Sequence, residues 1–176
     1  MRIVSGALKG RMIHPPKNFN ARPTTDFAKE SLFNILSNNF VFDNLKILDL
    51  FSGTGSISFE FASRGAVEIV AVENNFNHYS FIKNTAEQLK LKQIKIIKMN
   101  VFVYLKKSET SFDIIFADPP YSDKDTALLP DLIFENKLLN ENGWFVLEHS
   151  KDFSFKEHSR FFDQRVYSSV NFSFFK

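Results

Sequence analysis

The chain has 176 residues, 44% of them apolar and 24% charged, with 22 Phe and no Cys. Such a length and composition build one ordinary domain rather than a disordered or multidomain chain, no apolar run approaches the ~20 residues of a membrane span, and the lack of Cys excludes disulfides, Cys-ligated zinc, iron–sulfur sites and thiolate nucleophiles. The formal charge of +2 conceals a division, because residues 1–25 hold Arg2, Lys9, Arg11, Lys17 and Arg22 with no acid, whereas residues 26–176 hold 17 bases against 20 acids.

Residues 2–14 read as a short hairpin, Arg2 to Ser5 and Arg11 to His14 around a turn bounded by Gly6 and Gly10, stopped by Pro15-Pro16. Ser5, Gly6, Lys9 and Arg11 interrupt any signal region, so the expected location is cytoplasmic, with no membrane contact. With two glycines, three prolines and little apolar content, the arm is not expected to serve as core. Its bases form either a phosphate-binding footprint or an ordinary solvated surface. Thr24 and Thr25 sit where an N-cap belongs, and Ala28, Leu32, Leu36 and Phe40 recur at helical spacing, predicting a helix over 26–40.

From residue 46 short apolar strands alternate with helical stretches. Strands are expected at 46–50, 68–73, 94–98, 113–117 and 144–148, and helices at 54–63, 76–90, 101–107 and 125–139, with Gly65 and Gly143 as stop signals. That order means a parallel α/β sheet that binds ligands at the carboxyl ends of its strands. Two further extended runs, 165–169 and 171–175, predict a terminal antiparallel hairpin on one sheet edge. The expected molecule is a single domain, 1–176: a basic arm (1–25), a helix (26–40) and a catalytic core (46–176) holding a mostly parallel seven-stranded sheet with helices on both faces.

The first strand runs into Phe51-Ser52-Gly53-Thr54-Gly55-Ser56, a glycine turn at a strand-to-helix junction. Gly53 and Gly55 let the backbone turn tightly and approach a ligand. A plain structural turn is the alternative, and Ser58 in place of a third glycine argues against a dinucleotide. Glu73 ends the second strand 18 residues after Gly55, where a carboxylate can accept both hydroxyls of a ribose. Asp49 adds negative charge beside the loop, which suits a cation and a ribose better than a pyrophosphate. Asn100 either reads an adenine edge through its amide or caps the helix at 101–107.

Asp118-Pro119-Pro120-Tyr121 follows the fourth strand. A nitrogen conjugated to a flat ring is a poor nucleophile because its lone pair is delocalised. The Asp118 carboxylate and a backbone carbonyl in the Pro119-Pro120 segment can each accept one of its N–H groups, localise the lone pair, and stabilise the positive charge that develops. Tyr121 can stack on the planar substrate, worth about 1–3 kcal/mol for a nucleobase. A proline-stiffened turn is the alternative.

Together these residues resemble the class I S-adenosylmethionine-dependent methyltransferases, Rossmann-like enzymes, and within them the amino-group methylators with an Asp/Asn-Pro-Pro-aromatic motif. Arg2 to Gly6, Lys9-Gly10-Arg11, Arg22 to Asp26, Glu30 to Asn34, Asp49 to Ser56, Ser63 to Ala66 and Asp118 to Tyr121 resemble, in order, the bacterial 16S ribosomal RNA guanine-N2 methyltransferases, the RsmD family. The resemblance implies methyl transfer from S-adenosylmethionine, leaving S-adenosylhomocysteine, to the N2 amino group of a guanine in small-subunit ribosomal RNA, with no metal. Asp118, Pro119, Pro120 and Tyr121 would be catalytic; Asp49, Phe51, Gly53, Gly55, Glu73 and Asn100 would bind the cofactor; and Arg2, Lys9, Arg11, Arg22, Thr24 and Thr25 would meet RNA. The lack of Cys agrees, since carbon methylation of RNA pyrimidines typically runs through a cysteine adduct. A monomer acting on an assembled or partly assembled subunit is expected. Rival readings are an adenine-N6 or glutamine-N5 methyltransferase of the same fold, and a non-catalytic RNA-binding assembly factor. Two positions depart from the family pattern, Lys29 for Arg and Ser168 for the Gly of a Tyr-Gly pair, predicting a weaker phosphate or carboxylate contact and a differently shaped last hairpin.

Overall fold

A computed structural model describes residues 1–16, 19 and 26–176. Arg22 and the expected N-cap residues Thr24 and Thr25 lie outside the described residues. The elements are α1 (Asp26–Asn39), β1 (Lys46–Leu50), α2 (Ser56–Ser63), β2 (Glu68–Glu73), α3 (Phe76–Gln88), β3 (Ile94–Lys98), α4 (Val101–Lys107), β4 (Phe112–Ala117), a 3₁₀ turn (Lys124–Leu128), α5 (Leu129–Glu135), β5 (Leu139–His149), β6 (Phe161–Tyr167) and β7 (Val170–Phe175). The sheet order is β3-β2-β1-β4-β5-β7-β6. The first five strands are parallel, and β7 returns antiparallel between β5 and β6. The order reverses between β1 and β4, which opens a crevice at their carboxyl ends.

Both faces of the parallel strands are buried, so they read as continuous apolar runs whose successive side chains go to opposite cores. Ile47, Ile69, Ala71, Ile114 and Phe116 face a core closed by α1, α2 and α3, whereas Leu48, Val70, Val72, Ile115 and Ala117 face one closed by α4 and α5. The Phe excess is spent in these two layers. Phe33 packs edge-on against Phe61, Phe116 lies near Phe172, and Phe145 stacks on Phe175. Burying each such ring is worth about 1.5–3 kcal/mol.

The arm makes the antiparallel bridge expected of it, Arg2 opposite Met12, with Ile3 N–H donating to the Arg11 carbonyl (3.0 Å). Contrary to expectation it is also core: Ile3 and Ile13 are buried under α1 and α2. Two side chains of α2 hold it there. Glu60 accepts the N–H groups of Val4 (2.8 Å) and Ser5 (3.0 Å), and Ser63 Oγ accepts that of Leu8 (2.9 Å). Gly6 has φ +81°, and a Cβ there would fall 1.8 Å from the Ser63 carbonyl oxygen, so the turn fits only glycine.

Lys29 is fully buried rather than placed for a phosphate. Its Nζ donates to the Arg2 carbonyl (2.6 Å) and Ser56 Oγ (3.2 Å), 3.8 Å from Glu60 Oε2. Burial lowers its pKa, and the Glu60 carboxylate opposes that shift.

The helix expected over 125–139 is instead a 3₁₀ turn followed by the short α5. Pro130 stands in the first turn of α5, where a missing N–H is harmless, so a helix starts there and does not continue from upstream. Lys137, at φ +52°, ends the segment, and Leu139 already pairs with Phe112. Gly143 is therefore no helix stop. It lies inside β5 beside an irregularity of β4, where a Cβ would sit 2.8 Å from the Asp113 carbonyl oxygen.

The last hairpin keeps a tight two-residue link although glycine is absent: Tyr167 pairs with Val170, and Ser168 takes φ +58°. A left-handed φ costs a side-chain-bearing residue about 1–2 kcal/mol, partly offset by glycine's larger entropy loss on folding. Ser168→Gly should therefore raise the unfolding free energy by about 0.5–1 kcal/mol in urea titrations, and a loss of stability would contradict this account of the turn.

Candidate active site

A cavity of about 870 Å³ opens at the carboxyl ends of β1, β2, β4 and β5, in the range of small-molecule sites. One wall is the glycine loop. Phe51 adopts φ +57°, an uncommon conformation for a ring-bearing residue, and its ring meets Phe102 at 6.2 Å between centroids. Gly53 and Gly55 follow at φ +53° and +74°. Gly55 is fixed by packing as well, since a Cβ would lie 2.9 Å from the Phe59 ring.

Glu73 closes the loop's far side. Its Oε2 accepts the Gly53 N–H (2.8 Å) and its Oε1 the Asn75 N–H (2.7 Å), so two backbone groups hold the carboxylate at the cavity edge. His78, from the first turn of α3, places Nδ1 3.8 Å from Glu73 Oε2 and also lines the cavity. Sequence reasoning passed over His78; its spacing from Glu73, one loop and one helical turn on, was the available signal. Asn100 lines the cavity too, and its Oδ1 caps α4 by accepting the Val103 N–H (3.2 Å).

Asp49 does not stand as an open charge. It is 1% exposed, and its Oδ2 accepts both the N–H and the hydroxyl of Ser58, the residue at the third-glycine position. Burial pushes its carboxyl up to about 7, against the Ser58 hydrogen bonds that pull it down. The charge expected there is thus only half developed near neutrality, and a cation in the cavity would draw it out.

The opposite wall is the segment after β4. Asp118 N–H reaches the Leu50 carbonyl (3.4 Å), tying this segment to the end of β1 across the crevice. Asp118, Pro119, Pro120 and Tyr121 all line the cavity; Pro119 is buried and the Tyr121 ring is 39% exposed at the mouth. The Pro120 carbonyl accepts the Asp123 N–H (2.8 Å), and the Asp123 side chain caps the 3₁₀ turn. Glu148, at the end of β5, contributes a buried carboxylate to the same cavity that sequence reasoning did not single out. Ten of the sixteen expected site residues thus meet in one cavity or, for Gly55, directly behind it. Arg2, Lys9 and Arg11 form a separate exposed group on the arm, and Arg22, Thr24 and Thr25 lie outside the described residues.

Fold and site together define a protein of the class I methyltransferase fold. The chain belongs to the RsmD family: the family described as conserved hypothetical protein 95 matches residues 1–176. It is 34% identical over 149 residues to ribosomal RNA small subunit methyltransferase D of Escherichia coli K12, covering 84% of this chain and 71% of that one. Its structure is similar to that of a hypothetical protein of Thermus thermophilus, with a TM-score of 0.88 and 26% identity over 100% of this chain and 99% of the other. A more distant likeness of fold, at TM-score 0.67 and 20% identity over 84% of this chain and 49% of the other, is to a protein solved in complex with S-adenosylhomocysteine.

The Asp49 shift has a stability consequence of definite sign. With its carboxyl raised from 3.8 to about 7 on folding, the native state holds a proton that the unfolded chain has released across that window. Its contribution is complete below about pH 3.8 and is lost as pH rises to about 7. Asp49→Asn, which mimics the protonated group, should flatten this decline and stabilise the unliganded protein at pH 8 by on the order of 1–3 kcal/mol. Urea unfolding at about pH 5 and about pH 8 checks it, and parallel pH dependences in the two proteins would count against a protonated Asp49.

Proposed function

We propose that this protein transfers a methyl group from S-adenosylmethionine to the exocyclic N2 amino group of a guanine in 16S ribosomal RNA. The observation that carries the reading is that one cavity joins the Gly53–Glu73 wall to the Asp118–Tyr121 wall, so a donor and an amino acceptor can share it. Membership of the RsmD family and the name of the Escherichia coli relative, ribosomal RNA small subunit methyltransferase D, support the choice of substrate.

The chain's residues fit the donor. Glu73 is positioned to accept ribose hydroxyls, Gly53 and Gly55 allow close backbone approach, and Asn100 and Phe102 offer a polar edge and an apolar face for a base. When bound, S-adenosylmethionine supplies an electrophilic methyl on a sulfonium whose positive charge Asp49 and Glu73 favour. Asp118 accepts one N–H of the target amino group and the Pro119 carbonyl the other, which turns the nitrogen lone pair out of the ring system. The bound donor would supply the methyl, an N–C bond forming as S–C breaks, and Asp118 would accept the proton lost from nitrogen and pass it to solvent. No metal takes part. Tyr121 stacks on a base splayed out of structured RNA.

The exposed Arg2, Lys9 and Arg11 meet RNA phosphates, and Arg22, Thr24 and Thr25, outside the described residues, complete the proposed RNA-contacting set. The substrate is an assembled or partly assembled small subunit, met by a monomer in the cytoplasm. Among the described residues no helix is long and apolar enough to cross a membrane.

Incubation with labelled S-adenosylmethionine and small subunits from a strain lacking the protein, followed by nucleoside analysis, should place the label in N2-methylguanosine. Label in N6-methyladenosine or in a protein glutamine would overturn the guanine assignment, and binding of the donor without transfer would leave only an assembly factor. Asp118→Ala should keep donor affinity within a few-fold and lose turnover by about 10²-fold or more; full turnover would remove Asp118 from the chemistry. Replacing Arg2, Lys9 and Arg11 together with Ala should lower the slope of log affinity against log salt by about 2 to 3. An unchanged slope would return the arm to ordinary surface.

A further inference from the structure

Besides Asp49, Glu73 and Asp118, two further carboxylates line the cavity: Asp123, which caps the 3₁₀ turn, and Glu148, which methyl transfer to an amino group does not itself require. Glu148 is 3% exposed and lines the same space as Asp118. The strand register brings the two side by side. β4 and β5 are parallel, their last recorded pair is Ala117 with Leu147, and Asp118 and Glu148 each follow by one residue. Ala117 and Leu147 face the core under α4 and α5, while Phe116 and Val146 face the other one. Alternation sends Glu148, inside β5, to the Phe116 side of the sheet, and Asp118, the first residue past β4 with its N–H on the Leu50 carbonyl, lines the same cavity, as do Phe116, Asp49 and Val170.

Two neighbouring carboxylates make a demand on whatever base enters. When ionised, Glu148 only accepts hydrogen bonds and offers about four lone-pair positions, so it can take a ligand donor besides its protein contacts. Guanine offers the pattern that satisfies both: N1–H lies directly beside the N2 amino group on the Watson–Crick edge. Adenine presents the lone pair of N1 beside its amino group, which would face a carboxylate repulsively.

We propose that Glu148 is the residue that selects guanine, its carboxylate accepting N1–H from the base whose N2 amino group is held at Asp118. The assignment rests on the guanine-N2 reading above and deepens it. Polarising N1–H also moves electron density through the conjugated ring towards N2, so the same contact assists the nucleophile. Glu148 thus acts as a specificity-determining residue, while Asp118 remains the group at the reacting nitrogen.

The test compares small-subunit RNA, ligated to carry either guanine or 2-aminopurine at the methylated position, as substrates for the wild type and for Glu148→Gln. 2-Aminopurine keeps the 2-amino group but has a lone pair at N1. The wild type should prefer guanine by about 10- to 100-fold in kcat/KM, the range of a well-made base contact. In Glu148→Gln, whose amide can donate to that lone pair, the preference should shrink at least about 10-fold or invert, with donor affinity and the unfolding midpoint close to wild type. Glu148→Ala, which cannot attract either base edge, should lose the preference without inverting it. An equal loss on both substrates, or an unchanged ratio in both variants, would overturn the proposal and leave a structural role. A wild type that fails to methylate guanine N2 at all overturns the underlying reading, whereas guanine methylation with an unaltered ratio overturns only this inference.

Discussion

Glu60 is a carboxylate with no exposure, and the relation between the arm and the active site depends on it. It accepts backbone N–H groups from Val4 and Ser5 and the Nε–H of Arg64 (2.9 Å), and it stands beside the Lys29 ammonium. Removing one partner of such a buried group costs about 3–5 kcal/mol because the remaining charge is left unpaired. The helix that carries it, α2, is buried along its whole length, and its polar residues point where contacts are needed. Ser56 meets Lys29 and the cavity, Ser58 holds Asp49, and Glu60 and Ser63 hold the arm. The glycine loop and the basic arm are therefore tied to the same helix.

That shared helix stands between two groups of opposite charge. Acidic groups at the ends of β1, β2, β4 and β5 converge on the cavity at the carboxyl ends of the strands, and Arg2, Lys9 and Arg11 sit on a hairpin docked to the adjacent helix. An arm docked by apolar side chains and backbone bonds keeps its cationic side chains outside: Ile3 and Ile13 face the core, whereas Arg2, Lys9 and Arg11 face solvent. Exposed bases on the arm and acidic groups at the cavity thus occupy different parts of one fold.

Much of this was legible from local patterns. Parallel strands buried on both faces announce themselves as apolar runs, and the glycine loop and Asp118-Pro119-Pro120-Tyr121 declare strand ends because only those turns need such residues. Glu148 was equally local, an acid closing an apolar strand as Glu73 does, but it lay outside any named motif. Other features depend on partners distant in sequence. Nothing near Lys29 says that its amine is buried against the Arg2 carbonyl and Glu60, and nothing near Ser58 says that it fills a glycine position in order to bind Asp49. The apolar spacing of 125–139 resembles a helix, yet Pro130 resets it and Leu139 pairs with β4. The arm joins the core through only two buried side chains, Ile3 and Ile13, too few to show in its composition.

The two departures from the family pattern show how such a fold absorbs substitution. At Lys29 the requirement is a donor reaching Glu60 from α1, and a single ammonium supplies it while also bonding Ser56 and the arm, so the three contacts converge on one atom instead of a fork. At Ser168 the requirement is a positive φ, which a small side chain can adopt at some cost in strain. Each demand is geometric, and each is met by backbone placement that neighbouring elements already fix. Asp118 and Glu148 differ in kind, since their carboxylates line the cavity from the ends of β4 and β5, and no rearrangement of the backbone replaces a missing carboxylate.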